Sequence, residues 1–184
     1  MRFPERVHIF GAAGCGSTTL GRAIARRQGC QHVDSDDVFW LPTVPPYRAR
    51  RATVDRVLML EEATRWNTRW VLSGSIVGWG DFLVSSFDLV VFLYAPAHVR
   101  LARLRARERQ RFGPEIDAGG SMHERHRAFL EWAAGYDTGA SSRTLETEAN
   151  WLAHLPCPVV PITGDCPTDD QVAHILTLSD RLNR

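Results

Sequence analysis

Short apolar runs alternate along this chain with stretches in which apolar residues recur every three or four positions. The apolar runs predict five strands, at residues 7–10, 32–33, 70–72, 89–94 and 159–162. The fourth run is apolar throughout, which is typical of a strand covered on both faces. The intervening stretches predict helices, and strands that alternate with helices form a parallel sheet between two helical layers. The predicted fold class is therefore α/β, with a parallel five-stranded sheet and helices on both faces.

Helix ends carry their own signals. Two capping-box spacings, which start at Ser121 and Thr168, predict that helices begin there. A helix over residues 18–28 is followed by Gly29, a common residue just past a helix end. Helical spacing predicts further helices from residue 54, over residues 97–111 and over residues 143–155. Three prolines in residues 41–46 predict a loop.

Composition narrows the class of protein. The chain has 184 residues, 44% hydrophobic and 23% charged, which suits one globular domain and excludes collagen, coiled coil and disorder. The 22 basic and 21 acidic residues balance, so net charge favours neither nucleic acid nor a membrane surface as partner. No apolar run is long enough for a membrane span or a secretory signal.

Cysteine and lysine usage add two expectations. Four cysteines with no CxxC pair predict free thiols in a reducing cytoplasm. All 22 basic residues are arginine, so the chain has no lysine. Any cation that a site requires must therefore be an arginine.

A glycine-rich loop lies directly after the first predicted strand and before the first helix. Its residues are Gly11, Ala12, Ala13, Gly14, Cys15, Gly16, Ser17, Thr18 and Thr19. Glycines let successive backbone N–H groups face inward, and the helix start adds positive potential, so such a loop can bind phosphate. The frame is that of G-x-x-x-x-G-K-[ST], in which the Thr18 hydroxyl would bind Mg²⁺ carried on the phosphates. Ser17 stands where that frame has lysine, and a plain glycine turn is the structural alternative.

Two carboxylates, Asp34 and Asp36, follow the second predicted strand. Open parallel sheets bind their ligands at the edge formed by the carboxyl ends of the strands. One carboxylate could hold Mg²⁺ through water while the other accepts a proton from a substrate hydroxyl. The structural alternative is that the Asp-Ser-Asp sequence caps the next helix.

Six arginines fall within residues 100–111, against one acid, Glu108. Planar guanidinium groups bind phosphate in bidentate fashion. Arg107 and Arg111 are the candidates for phosphate contacts, because they lie one turn apart beside a glycine-containing loop. A solvated helix in an arginine-rich chain explains the rest. Other arginines that could reach the glycine-rich loop are Arg22, Arg48, Arg50 and Arg51.

A second glycine-containing segment, residues 73–80, follows the third predicted strand. We expect Gly74, Trp40 and Trp79 to line an acceptor pocket there, with a structural turn as the equal alternative. The other four tryptophans, Trp66, Trp70, Trp132 and Trp151, are predicted to lie in the core.

Together these motifs resemble the P-loop small-molecule and nucleoside-monophosphate kinases, the group of adenylate, shikimate and gluconate kinases. The resemblance rests on residues 11–19, 34–36, 73–74, 88–94 with the arginine helix, and 162–165. It implies a three-layer sandwich of the adenylate kinase type, in which a lid of about residues 107–127 closes over the site. It further implies an acceptor segment of about residues 35–66, all within one domain.

The resemblance also implies roles for single residues. ATP phosphates would bind at residues 11–19, and Gly164 would border the adenine. The match to shikimate kinases gives Asp34 to Mg²⁺ and Asp36 to the acceptor hydroxyl. Arg107 and Arg111 would neutralise charge on the transferred group.

The expected activity is an ATP-dependent phosphotransferase, with ATP and Mg²⁺ as cofactors and a small molecule as acceptor. The alternative is a catalytically weak nucleotide-binding regulator or NTPase, which the serine at position 17 favours. We expect neither membrane nor nucleic acid as partner, and a monomer or homodimer in the cytoplasm.

Overall fold

The computed structural model describes residues 3–182. These residues fold around one parallel sheet. The strands are β1 (Arg6–Phe10), β2 (Gln31–Asp34), β3 (Trp70–Ser73), β4 (Leu89–Tyr94) and β5 (Val159–Thr163). Their order across the sheet is β2-β3-β1-β4-β5, and all neighbours are parallel. The predicted fold class, α/β with five parallel strands, is confirmed.

Helices cover both faces of this sheet. They are α1 (Ser17–Gln28), α2 (Ser35–Phe39), α3 (Thr53–Arg65), α4 (Ala97–Phe112), α5 (His123–Ala134), α6 (Leu145–Leu152) and α7 (Thr168–Leu182). Short 3₁₀ helices span Asp81–Ser86 and Gly113–Ile116. Within the described residues, no helix is both long and apolar enough to cross a membrane.

The central strand, β1, sends alternate side chains into two separate cores. One core includes Val7, Ile9, Leu20 and Ile175, and the other includes Phe10, Leu60, Trp70 and Phe87. His8 belongs to the second side and is stacked between Phe10 and Phe87, with ring centroids 4.9 and 5.0 Å away. Complete burial lowers the pKa of His8 to about 3, so it is a neutral core residue.

Parallel pairing brings the carboxyl ends of all five strands to one edge, which places the loops that follow them side by side. Backbone hydrogen bonds fix these loops to the sheet. Gly74 N–H donates to the carbonyl of Ile9 at 3.0 Å, and Gly164 N–H donates to that of Tyr94 at 2.6 Å. The segments that carry the candidate residues therefore meet above the sheet.

The two helix starts predicted from capping boxes have different outcomes, because only the start at Ser121 is displaced. Helix α5 begins at His123, and the Ser121 N–H instead donates to the Glu115 carboxylate at 3.0 Å, which ties it to the preceding loop. Helix α7 begins at Thr168, as predicted, and the carbonyl of Pro167 accepts a 3.1 Å hydrogen bond from the Gln171 N–H. The helix predicted over residues 143–155 is shorter at both ends and is capped by Thr144.

The four tryptophans predicted to lie in the core differ in how deeply they are buried. Trp70 is 2% exposed, as predicted, whereas Trp66 is 73% exposed, and its indole donates to Glu62 on the surface of α3. Trp66 is the C-cap residue of α3, so it lies beyond the face of the helix that packs on the sheet. Trp132 and Trp151 are partly buried.

Candidate functional site

The glycine-rich loop between β1 and α1 has the backbone of an anion cradle. Gly14 and Gly16 adopt φ angles of +84° and +104°, a left-handed conformation that glycine tolerates without strain. The carbonyl of Ala12 accepts a 3.1 Å hydrogen bond from the Cys15 N–H. A Cβ added at Gly11 would lie 2.0 Å from the backbone oxygen of Leu93, so the loop packs directly on β4.

The start of α1 adds donors to this cradle. Gly16 is the N-cap residue and provides no side-chain cap, so the first N–H groups of the helix are open to a ligand. Aligned helix dipoles give this end a partial positive charge that favours anions. The Cys15 thiol is buried, which raises its pKa and keeps it neutral.

One cavity of about 630 Å³ joins the loop to the two other candidate regions. Of the predicted site residues, its wall contains Gly11, Ala12, Ala13, Gly14, Gly16, Ser17, Thr18, Thr19, Asp36, Trp40, Gly74, Arg107 and Arg111. Cys15, Asp34, Trp79 and Gly164 do not line it. The sequence motifs, which span a hundred residues, thus converge on one space.

The two carboxylates of the Asp-Ser-Asp sequence have different surroundings. Asp34 caps α2, since its Oδ1 accepts a 3.1 Å hydrogen bond from the Asp36 N–H, and its Oδ2 lies 3.9 Å from Arg22. Asp36 lies in the cavity. Desolvation by the cavity wall raises the pKa of Asp36, and the charge of Asp34 raises it further. Asp34 therefore caps α2 outside the cavity wall, while Asp36 faces the cavity.

A smaller cavity of about 230 Å³ adjoins the first. Gly16 and Thr19 line both spaces, and Gly164 lines the smaller one together with Cys15. Arg103 lies at the junction, where its Nη1 donates to the carbonyl of Gly164 at 2.7 Å. The loop around Gly164 thus borders the smaller cavity, beside the glycine-rich loop.

Residues 107–127, the predicted lid segment, line the large cavity on the side of Tyr47. Arg111 lies over the Tyr47 ring at 4.8 Å, and Arg125 donates to the Tyr47 carbonyl at 3.2 Å. Glu108 is 7% exposed and lies 3.9 Å from Arg107 and 3.4 Å from Arg111. The acceptor segment and the lid segment are consequently in contact across the cavity mouth.

The cavity wall is positively charged. Its charged side chains are Arg103, Arg107, Arg111, Arg125, Arg143, Asp36 and Glu108. Five cations against two carboxylates give a formal excess of three positive charges. Such a space attracts a polyanion.

Arg103 and Arg143 are wall residues that sequence reasoning missed. Arg103 was one of six arginines in its helix, and no local pattern separated it from the others. Arg143 reaches the carbonyl of Gly11 from 132 positions away, so only the tertiary fold brings the two together. None of the alternative arginines at positions 22, 48, 50 and 51 lines either cavity.

Trp79 lies beside the cavity and not in its wall. Its indole N–H donates to the carbonyl of Ser75 at 3.2 Å, and its ring packs against Phe39 at 5.8 Å. Trp40, from the same predicted pair, does line the cavity, where it packs against Phe39 and Tyr47. One of the two tryptophans predicted for an acceptor pocket thus lines the cavity.

The residues present suit a magnesium ion that is carried mainly by phosphates. Within residues 3–182 no three His, Cys, Asp or Glu side chains cluster as a metal site would require. Mg²⁺ keeps several waters and uses one or two protein ligands beside substrate phosphates. Thr18, in the cavity wall at the start of α1, offers one hydroxyl ligand of this kind.

Solved structures show which class of fold this is. Shikimate kinase from Acinetobacter baumannii superposes with a TM-score of 0.58 at 18% identity, covering 96% of this chain and 92% of that one. A gluconokinase from Sinorhizobium meliloti gives 0.57 at 17% identity, covering 99% and 95%. The chain therefore has the fold of the P-loop small-molecule kinases.

Sequence relatives define the family. YqaC of Bacillus subtilis, described as an uncharacterized protein, is 43% identical over 173 residues, which cover 94% of this chain and 96% of that protein. The chain belongs to the same family as YqaC. No family model matches the chain.

More distant relatives are kinases. A cytidylate kinase of Pyrococcus horikoshii is 31% identical over 114 residues, covering 55% of this chain and 57% of that enzyme. A shikimate kinase of Sodalis glossinidius is 31% identical over 115 residues, covering 54% and 63%. The match thus extends over little more than half of each kinase.

Proposed function

We propose that this chain is an ATP-dependent phosphotransferase that acts on a small acceptor. The observation that carries the proposal is the convergence of three elements on one cavity of about 630 Å³: an anion cradle, a carboxylate with a raised pKa and a set of arginines. The kinase relatives support it, because cytidylate and shikimate kinases both act on small acceptors.

The nucleotide would lie along the glycine-rich loop. Backbone N–H groups of residues 11–18 and the start of α1 would bind its phosphates. The smaller cavity, bordered by Gly164, would take the adenine. Thr18 would hold Mg²⁺, which would neutralise part of the phosphate charge.

In the transfer step, an acceptor oxygen attacks the γ-phosphorus, and the bond from that phosphorus to the β–γ bridging oxygen breaks. The bridging oxygen leaves with the electron pair as part of ADP. Asp36 would take the proton of an acceptor hydroxyl, for which a raised pKa makes it a better base. Arg107 and Arg111 would stabilise the charge that spreads over the transferred group, and closure of the lid segment would exclude water.

The acceptor would lie on the aromatic side of the cavity. Trp40, Tyr47, Phe129 and Trp132 line this side together with Arg125. Aromatic side chains stack on planar rings, and guanidinium groups bind carboxylate or phosphate. The lining favours an acceptor that has a ring and an anionic group.

The experiment is to measure ADP formation from Mg²⁺–ATP, alone and with pools of nucleoside monophosphates, nucleosides, sugar acids and shikimate. Asp36→Asn is the test variant. Asp37→Asn is its matched control, because Asp37 lies one position later and lines neither cavity, whereas Asp36 lines the larger one. We expect a pool to stimulate ADP formation in the wild type and the Asp37 variant, and Asp36→Asn to abolish the stimulation.

The serine at position 17 favours one rival function, a nucleotide-binding regulator without efficient catalysis. That rival predicts tight ATP binding with no stimulation by any pool, and an Asp36→Asn variant that behaves like the wild type. This result would remove the kinase proposal.

A further inference from the structure

Arg143 joins the segment before α6 to the first residue of the glycine-rich loop. Its Nη2 donates a 2.7 Å hydrogen bond to the carbonyl oxygen of Gly11. The side chain is part of the main cavity wall and is 28% exposed. A guanidinium is therefore anchored at the loop without any contribution from α4.

A buried carboxylate orients this guanidinium. Glu148 is 0% exposed and accepts a 2.7 Å hydrogen bond from Nε of Arg143. The same carboxylate accepts hydrogen bonds from the hydroxyl of Tyr136 and, at 3.3 Å, from that of Ser75. Burial and the adjacent Glu148 charge raise the pKa of Tyr136, so the phenol remains a donor. Arg143 is thus held at both ends by groups that have little freedom to move.

Part of the guanidinium remains available to a ligand. Nε and Nη2 contact Glu148 and Gly11, but nothing in residues 3–182 accepts a hydrogen bond from Nη1 of Arg143. Nη1 is not among the buried atoms of the described residues, so solvent reaches it. A guanidinium has five N–H donors in a rigid fork, and those on Nη1 are free for an oxyanion.

The other cavity arginines are placed differently. Arg103 uses Nη1 for the carbonyls of Gly164 and Cys15, at 2.7 and 3.3 Å. Arg107 and Arg111 lie on α4 beside the Glu108 carboxylate. Among the described residues, Arg143 is the arginine that combines a contact to the first loop residue with a buried orienting carboxylate.

We propose that Arg143 supplies the cation which the loop lacks at Ser17, and that it contacts the terminal phosphates of bound ATP. This inference rests on the proposed function. It assigns the fixed charge of the phosphate site to a residue outside the lid segment, and leaves Arg107 and Arg111 to act when the lid closes.

The first test compares dissociation constants for Mg²⁺–ATP and for adenosine, which has the same base and ribose without phosphates. We expect Arg143→Gln to weaken ATP binding about tenfold or more, since it removes a charged hydrogen bond, and to change adenosine binding less than twofold. Arg127→Gln is the matched control, because Arg127 is exposed on α5 and pairs with Glu124 and Glu131 outside the cavity.

The second test is rescue. Ser17→Lys places an ammonium at the usual position in the loop, so in the Arg143→Gln background it should recover most of the lost ATP affinity. In the wild-type background the same change adds a second cation beside Arg143, so it should strengthen ATP binding by a smaller factor than in the Arg143→Gln background. If Arg143 had only a structural role, Arg143→Gln would lower the melting temperature of the protein. Ser17→Lys would then not restore ATP affinity.

Arg143→Gln alone leaves the Glu148 charge buried without its cation, which can unfold the chain. The double variant Arg143→Gln/Glu148→Gln removes both charges and carries the test if the single variant unfolds. Failure to bind ATP in the wild type would refute the proposed function itself. A wild type that binds ATP, with a folded variant that keeps the wild-type ratio of ATP to adenosine affinity, would overturn only the role of Arg143.

Discussion

The two sides of the cavity are built in different ways. On the side of the glycine-rich loop, the proposed phosphate side, the backbone itself forms the wall, and Gly11 packs directly against the carbonyl of Leu93 on β4. On the acceptor side, the wall consists of side chains such as Tyr47 and Arg111, which meet across loops and helix α4. One side is fixed by the sheet, whereas the other depends on contacts between partly exposed side chains.

This difference has a dynamic meaning. Segments held by few, partly exposed contacts open at much lower free energy than backbone paired into a sheet. The contact of Arg125 with the Tyr47 carbonyl is exposed, so separating the lid segment from the acceptor segment costs little. We therefore expect the phosphate side to keep its shape while the acceptor side opens and closes around substrate.

The largest effect should come from a change on the phosphate side. Gly11→Ala would put a methyl group 2.0 Å from the Leu93 carbonyl oxygen, and neither strand can yield. Overpacking of this kind costs about 3 kcal/mol of stability. We expect a clear loss in chemical denaturation and no measurable ATP binding by calorimetry.

Gly139→Ala serves as the control for that variant. Gly139 has a φ of +79° but no atom within 4 Å of its added Cβ, so only backbone strain of about 1 kcal/mol applies. Equal stability losses in the two variants would show that the β4 contact does not support the loop.

A smaller effect should come from the acceptor side. Arg111→Ala removes a guanidinium from the cavity wall and from the Tyr47 ring, while the sheet and the loop stay as they are. We expect KM for the acceptor, or the rate of transfer, to worsen by roughly 10-fold, as loss of one charged hydrogen bond predicts, with ATP affinity within twofold. Steady-state kinetics with the acceptor found by pooling would measure it.

Arg109→Ala is the matched change on the same helix. Arg109 is exposed and donates to Asp117 outside the cavity, at 2.8 Å. Its loss should leave both kinetic constants unchanged. A similar defect in both variants would mean that general charge, and not the cavity position, matters on this side.

The smallest effect concerns stability and pH. Because the folded-state pKa of Asp36 is raised, its charged form opposes folding at neutral pH, and this penalty disappears as pH falls and the carboxyl binds a proton. Asp36→Asn should therefore raise the melting temperature at pH 7 slightly, by about 1 °C, since solvent screens part of the effect. The gain should vanish below the ordinary Asp pKa of 3.8. A variant that melts earlier than the wild type at pH 7 would contradict the raised pKa.

The phosphate side could be predicted from sequence because its determinants are neighbours along the chain. A strand, a glycine-rich loop and a helix start follow one another directly, and the backbone needs no distant partner to form the cradle. The same holds for the sheet, since apolar runs such as Leu89–Tyr94 record burial on both faces.

The acceptor side could be predicted only in part. Asp34 and Asp36 have the same side chain two positions apart, and only the direction of α2 decides that one caps the helix and the other faces the cavity. Arg143 has no local signature at all, because its role depends on Glu148, Gly11 and the space between them. Both cases require the tertiary fold.

All five cationic side chains in the cavity wall are arginines, and the 184 residues contain no lysine. A guanidinium is planar and has five N–H donors in a fixed fork, whereas an ammonium group is a compact charge with three donors. The positive charge of this site therefore comes from groups that can each bind an oxyanion in bidentate fashion. It is also out of reach of enzymes that acetylate lysine side chains, so control of this charge in a cell would have to operate on arginine or on the carboxylates beside it.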